Sequence, residues 1–284
     1  NLIMMPALIV MAAAVAIYAL TLPGAMDGLA YYLVPDFSKF SPELIISALG
    51  QTFFTLSLAM GIMVTHGSYL QKSTKLTSSV SQIAGTTFGV SLLAGLMIVP
   101  ATFAALGSGD AVAQNSGPSL MFIILPQVFE NLGGAATIIG VVLFAALTSS
   151  LSLVETCTSI ISDGAGWSRK RSLIVTIVYV TLMGVLVNLG YSSLSFIQPM
   201  GEGSSILDLL DFISNSVLMP IVALLTCVFV GWIVKPKTII DEVRVSAPFK
   251  AAPAWTIMIK YIAPVLVIII LVAYVAAQFG FFSM

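Results

Sequence analysis

Charge is scarce in this chain of 284 residues: Lys, Arg, Asp and Glu together make up 8% of it, against 58% apolar residues. That leaves too little polar surface to coat a soluble domain, and with a mean hydropathy of +1.07 it points to an integral membrane protein. The charges nearly balance, at a net −1, and they form no basic patch on which nucleic acid could sit. Histidine is nearly absent. His66 alone cannot build a metal site or a serine-histidine-acid triad, and it reads as a packed or water-facing imidazole or, less simply, a proton relay. Cysteine is limited to Cys157 and Cys227, both inside apolar runs, which excludes a disulfide framework and predicts two buried, small apolar side chains. With no phosphate-binding glycine loop and no paired catalytic carboxylates either, nothing in the chain points to an enzyme.

Long apolar runs are what the chain does have. About 20 apolar residues cross the hydrocarbon core, and seven segments qualify, near residues 2–22, 43–69, 79–106, 135–162, 171–191, 206–234 and 255–282. Leu2 to Leu22 lacks a basic leader and a small-residue cleavage site, and so reads as a span, not a signal peptide. Between the third and fourth segments, Pro118, Pro126, Gly133 and Gly134 frame the short apolar run Leu120 to Leu125, predicted to be a helical cap, near 117–134, folded back on the protein. Ten of the eleven basic residues lie in alternate loops: Lys72 and Lys75; Arg169, Lys170 and Arg171; and Lys235, Lys237, Arg244, Lys250 and Lys260. The remaining loops carry Asp27, Asp36, Asp110 and Glu202, with Lys39 the one exception. Basic loops stay in the cytoplasm, so a multi-pass protein of the plasma membrane is expected, with its first residue cytoplasmic and its last outside.

Two spans do not read as plain helices. Gly50 to Gly61, GQTFFTLSLAMG, crowds small and hydroxyl residues where leucine would serve. Such an interruption at bilayer depth is tolerated where protein shields the backbone or a cavity is lined by it, which predicts a broken helix with a binding site at the break. In the fourth span, Thr148, Ser149, Ser150 and Ser152 share about a turn and a half. They could glue helices together or bond back to their own turn, or they could offer neutral oxygens to a hard cation such as sodium. Glu155, Asp163, Asp208 and Asp211 stand inside spans or at their edges, where charge is costly. A helix cap explains Asp208 as readily as any site role, whereas Asp163 and Asp211 call for partner cations.

Taken together, these residues resemble the neurotransmitter:sodium symporter family, the LeuT-type transporters. GQTFFTLSLAMG resembles the unwound middle of the family's sixth span, Ala145 to Leu153 (AALTSSLSL) the cation-binding part of its eighth, and Leu207 to Phe212 (LDLLDF) the start of its tenth. Gly117 to Pro126 is similar to its extracellular cap, and Lys260 to Pro264 to the opening of its eleventh span. The resemblance implies an all-α membrane fold of seven transmembrane helices. Residues 1–22 would be the last span of a first repeat, 43–234 the second five-span repeat, and 255–284 a peripheral C-terminal span. It further implies that Phe54 covers the substrate while Thr55 and Ser57 present oxygens and backbone to it, and that Met60 and Leu153 wall its side-chain pocket, with Ser149 beside it. Sodium would be held by Thr55 at one site and by the Ala145 carbonyl with the Thr148 and Ser149 hydroxyls at another. Thr86 stands near the place of an asparagine that the family usually contributes to the first site. Val90 occupies the chloride position, so no chloride site of the usual kind is expected. Asp211 is similar to the family's outer-gate acid, Asp163 to its inner-gate acid, and Tyr69 to a tyrosine near the inner gate. The implied function is sodium-coupled symport of an amino acid, hydrophobic or aromatic, or of a related amine, with sodium as the only cofactor and lipid as the solvent.

Nothing here matches the family's first four spans, so the chain is expected to be a C-terminal portion whose N-terminal spans complete the site. Two other classes stay open. A channel-like or sensor protein would show flux or binding without concentrative uptake, and a structural membrane subunit would need a separate N-terminal partner.

Overall fold

The computed structural model describes residues 3–107, 135–201 and 203–278. The expected extracellular cap near 117–134 lies outside them. Among the described residues, ten helices run in chain order besides the short 3-10 turn Phe37–Lys39: α1 Met4–Ala19, α2 Ala25–Leu33, α3 Pro42–Thr55, α4 Ile62–Ser68, α5 Leu76–Leu106, α6 Ala135–Ala165, α7 Arg169–Gly190, α8 Ile206–Ile233, α9 Pro236–Ser246 and α10 Ala252–Gln278. Five are long and apolar enough to cross a membrane: α5, α6 from Gly140, α7, α8 and α10. The first expected span is a shorter apolar helix of 16 residues. The second is divided between α3 and α4, which is why neither half reaches spanning length.

The chain divides into two compact units, Asn1–Phe40 with Ile83–Ser152 and Ser41–Gln82 with Leu153–Met284. In the first, Leu8, Ala12, Val15, Ala16 and Ala19 of α1 bury against Met97 and Ala101 of α5 and Val141 of α6. Small residues set the spacing. A Cβ on Gly28 of α2 would meet Phe103 and Pro100, one on Gly95 would overlap the Tyr32 ring, and Tyr31 packs on Phe103 at 5.3 Å between ring centres. Such close approach supplies the dispersion contacts that hold helices together where the solvent itself is apolar.

In the second unit α8 packs along α10, with Met219, Ala223 and Cys227 buried on one and Val267, Ile270 and Ala273 on the other. Both helices contain π-helical turns, at Phe212–Leu218 and Phe229–Ile233 of α8 and at Met258–Ile262 of α10. Pro220 and Pro264 each follow such a turn by two residues. Proline has no N–H to donate, and a widened turn lets its ring clear the preceding carbonyls. Cys227 is buried as expected, but Cys157 is exposed, because on α6 it falls between the inward-facing Thr156 and Thr158. Many large apolar side chains on α7 and α10 face outward, as helices solvated by lipid require.

Gly50 of α3 is buried directly beneath the Tyr274 ring of α10, where a Cβ would overlap the hydroxyl. Gly50→Leu is therefore expected to destabilise the protein by about 1–3 kcal/mol through overpacking. Tyr274→Ala should relieve part of that loss, read as a double variant whose thermal denaturation falls less than the sum of the two singles.

Candidate functional site

Helix α3 starts well defined. Pro42 occupies its first turn, and the Ser41 hydroxyl accepts from the Leu44 N–H at 3.2 Å, leaving one fewer orphan donor. It then stops inside an apolar run. Ser57, Ala59 and Gly61 take positive φ values of 52°, 62° and 77°, so alternate residues are left-handed. Only Gly61 is suited to this; an L side chain in such a conformation costs on the order of 1–3 kcal/mol. The Ser57 and Leu58 N–H groups donate back to the Phe54 and Phe53 carbonyls at 2.9 and 3.1 Å, and α4 restarts with the Thr65 N–H on the Gly61 carbonyl at 2.9 Å. Among the described residues, no backbone N–H donates to the carbonyls of Leu56, Ser57, Leu58, Ala59 or Met60. The break thus leaves the carbonyls of five half-buried residues to be satisfied by water, a cation or a polar ligand.

Phe54, Thr55, Ser57 and Met60 are collected by this break. Phe54 is exposed and the other three half-buried, while Gln51 Nε2 donates to Thr55 Oγ1 at 3.4 Å. At the far end Gly61 faces α6, where a Cβ would lie 3.3 Å from Thr156 Cγ2 and 3.4 Å from Ile160 Cδ1. Leu153, exposed, sits three residues before Thr156, about one turn away on the same helix.

Ala145, Thr148, Ser149 and Thr86 belong to the other unit. Thr148 is buried, and its hydroxyl donates to the Phe144 and Ala145 carbonyls at 2.9 and 3.0 Å. Ser150 and Ser152 likewise bond back, to the Leu147 and Thr148 carbonyls at 3.1 and 3.3 Å. For these three hydroxyls the helix's own turn is the partner. Back-bonding spends the one hydroxyl proton and leaves the Thr148 oxygen's lone pairs free; with that proton on the Phe144 carbonyl, the Ala145 carbonyl keeps a lone pair beside it. Ser149 and Thr86 are exposed, and their hydroxyls form no hydrogen bond among the described residues. No cluster of three or more His, Cys, Asp or Glu occurs there either.

The strongest polar cluster was only partly legible in the sequence. The Tyr69 hydroxyl, just past α4, donates to Glu155 Oε1 at 2.7 Å and lies 2.9 Å from Ser159 Oγ. Arg169 Nη2 donates to both oxygens of Glu155, at 2.9 and 2.7 Å. The turn from α6 to α7 holds Arg169 in place: Ser162 Oγ donates to the Trp167 carbonyl at 3.0 Å, and the Arg171 guanidinium lies 4.0 Å from the centre of the Trp167 ring. The half-helix below the break, α6 and α7 are thereby tied at one carboxylate. Glu155 stood out as an acid within a span; Arg169 did not, because its three-residue basic run reads as an orientation signal.

The other acids divide. Asp208 is a cap: its carboxylate accepts from the Ser205 N–H and hydroxyl, both at 2.7 Å, and the Ser205 hydroxyl accepts from the Asp208 N–H at 3.3 Å. This is a capping box, legible in the Ser-x-x-Asp spacing. Asp211 is exposed and accepts from Asn215 one turn on. Asp163 is exposed, and neither Asp163 nor Asp211 forms an ion pair among the described residues.

The family profile described as "Sodium:neurotransmitter symporter family" matches residues 2–280. The chain belongs to that family. An uncharacterised sodium-dependent transporter of Bacillus subtilis is 36% identical over 94% of the chain, and one of Haemophilus influenzae 32% identical over 95%. The crystal structure of MhsT in complex with L-phenylalanine is 35% identical over 96% of the chain, with a TM-score of 0.82. The chain spans 59% and 58% of the two relatives' lengths and 62% of MhsT. Family members are sodium-dependent transporters, not enzymes.

If Glu155 couples the three helices, Glu155→Gln and Arg169→Gln should be non-additive: thermal denaturation of the double variant falls by less than the summed losses of the singles. Tyr69→Phe should weaken the cluster further, since it loses the remaining donor. Strictly additive losses would show that the ion pair carries no coupling.

Proposed function

We propose that the full-length protein couples the sodium gradient to uptake of an amino acid, hydrophobic or aromatic, or of a related amine, by alternating access. The observation that carries this reading is the α3–α4 break, whose backbone oxygens accept from no backbone N–H among the described residues, in a chain that belongs to a sodium symporter family. In this reading Phe54 covers the substrate, Thr55 and Ser57 bind its polar groups, and Met60 and Leu153 wall its side chain next to Ser149. The phenylalanine bound by MhsT supports a pocket of that character. Flexible methionine suits it as well.

Sodium is bound as a co-transported ion, by the Ala145 carbonyl with Thr148 and Ser149, and by Thr55 with Thr86. With its proton on the Phe144 carbonyl at 2.9 Å, the Thr148 hydroxyl would offer a cation its neutral oxygen beside the Ala145 carbonyl. Ions that favour the outward state raise the population competent to take substrate. Asp211 and Asp163 act at the outer and inner gates, with Tyr69 beside the inner one. α1 and the broken pair α3–α4 join the five long helices to make seven spans. The basic loops face the cytoplasm, in a second repeat over 43–234 flanked by 1–22 and 255–284.

Thr148→Val and Ser149→Ala are expected to raise the sodium concentration for half-maximal uptake roughly tenfold, the scale of losing one ligand to a charge, with no loss of folded protein. Uptake in vesicles of the full-length protein, titrated with sodium at constant ionic strength, checks this. Unchanged sodium dependence in both variants would remove Ala145, Thr148 and Ser149 as a cation site.

A further inference from the structure

The π-helical end of α8, the start of α9 and the first turns of α10 line an open cleft of about 590 Å³, a volume typical of small-ligand sites. Buried Gly231, Pro236 and Ala252 are among its lining residues. Its walls carry Lys235, Lys237, Arg244 and Lys260 against a single carboxylate, Asp241. Among the described residues none of these four cations lies within ion-pair distance of a carboxylate. Four like charges around one cavity repel one another unless an anion enters.

The backbone is shaped to bring them there. Lys235 is held at φ 70° immediately before α9, an uncommon conformation for a residue with a side chain. Lys260 is half-buried, its stem passing over Gly231, where a Cβ would sit 3.4 Å from Lys260 Cγ. Trp232 and Tyr261 meet edge-on at 6.4 Å beside it, the residue types that mark the boundary between headgroups and hydrocarbon. Helix α9 is amphipathic, with Ile239, Ile240 and Val243 half-buried and Lys237, Glu242 and Arg244 exposed, as in helices that lie along that boundary. Beyond the cavity α10 exposes Val265, Ile268, Ile269 and Val272, a path for acyl chains.

We infer that this cavity binds a phosphate group, presented by an anionic phospholipid headgroup or by free phosphate, with Arg244 and Lys260 as its principal donors. Guanidinium and ammonium donors suit phosphate oxygens, and basic pockets between spans take anionic headgroups. The inference is independent of the transport reading.

The test is native mass spectrometry of the full-length protein released from phosphatidylcholine nanodiscs doped with phosphatidylglycerol. Wild type is expected to retain one phosphatidylglycerol, and Arg244→Gln/Lys260→Gln to retain roughly tenfold less or lower still. Arg244→Lys/Lys260→Arg keeps the charge and should retain it. Lys72→Gln/Lys75→Gln, which removes the same charge elsewhere, should behave as wild type. A second arm adds inorganic phosphate to phosphatidylcholine-only nanodiscs and follows its phosphorus NMR line width. Broadening that Arg244→Gln/Lys260→Gln abolishes, without lipid retention in wild type, assigns the pocket to free phosphate. Equal lipid loss in the two glutamine double variants, or no change in either arm, would overturn the inference.

Discussion

Backbone N–H and C=O groups have no partners in hydrocarbon, and this single constraint governs the second span. A helix that stops between Thr55 and Ile62 leaves five successive carbonyls, Leu56 to Met60, without a backbone donor among the described residues. In water that would be an ordinary loop. In a chain with 8% charged residues it is tolerable only where protein shields it and something polar fills it. The left-handed residues Ser57 and Ala59 add strain that a plain span would never accumulate. An arrangement that costs this much persists where surrounding structure enforces it, and the proposed substrate and sodium roles give those oxygens their partners.

Around the break the packing is close. Gly50 lies against Tyr274 above it and Gly61 against Thr156 and Ile160 below it, so the two ends of the interruption are seated on different helices of the second unit. Tyr69, which follows the lower half-helix directly, is tied to Glu155 and through it to Arg169. A shift of α4 would therefore load a charge-assisted hydrogen-bond cluster, the kind of contact that has discrete made and broken states. This connects the backbone interruption, a local property of twelve residues, to a contact cluster on α6 and α7.

Much of the fold was legible because apolar length is a strong signal: each of the five long helices begins within five residues of the start of its expected segment. The break was legible in kind but not in detail. Gly50 reads as a breaker, yet it is helical and serves close packing, while the left-handed turn falls on Ser57 and Ala59, residues whose type gives no warning. The hydroxyl run was ambiguous for a physical reason, since back-bonding and cation binding use opposite ends of the same hydroxyl. Asp208 was readable because capping is local. The Glu155–Arg169 pair and the basic cavity were not, because they depend on contacts that single-sequence periodicity does not encode.

The most direct measurement is equilibrium binding of labelled hydrophobic and aromatic amino acids to the purified full-length protein, in sodium and in potassium of equal ionic strength. Saturable binding that appears in sodium and vanishes in potassium, and is lost when Phe54 or Ser57 is replaced by a bulky charged residue, is the expected result. Binding that is equal in the two salts, or that survives those replacements, would contradict a sodium-coupled site at the α3–α4 break.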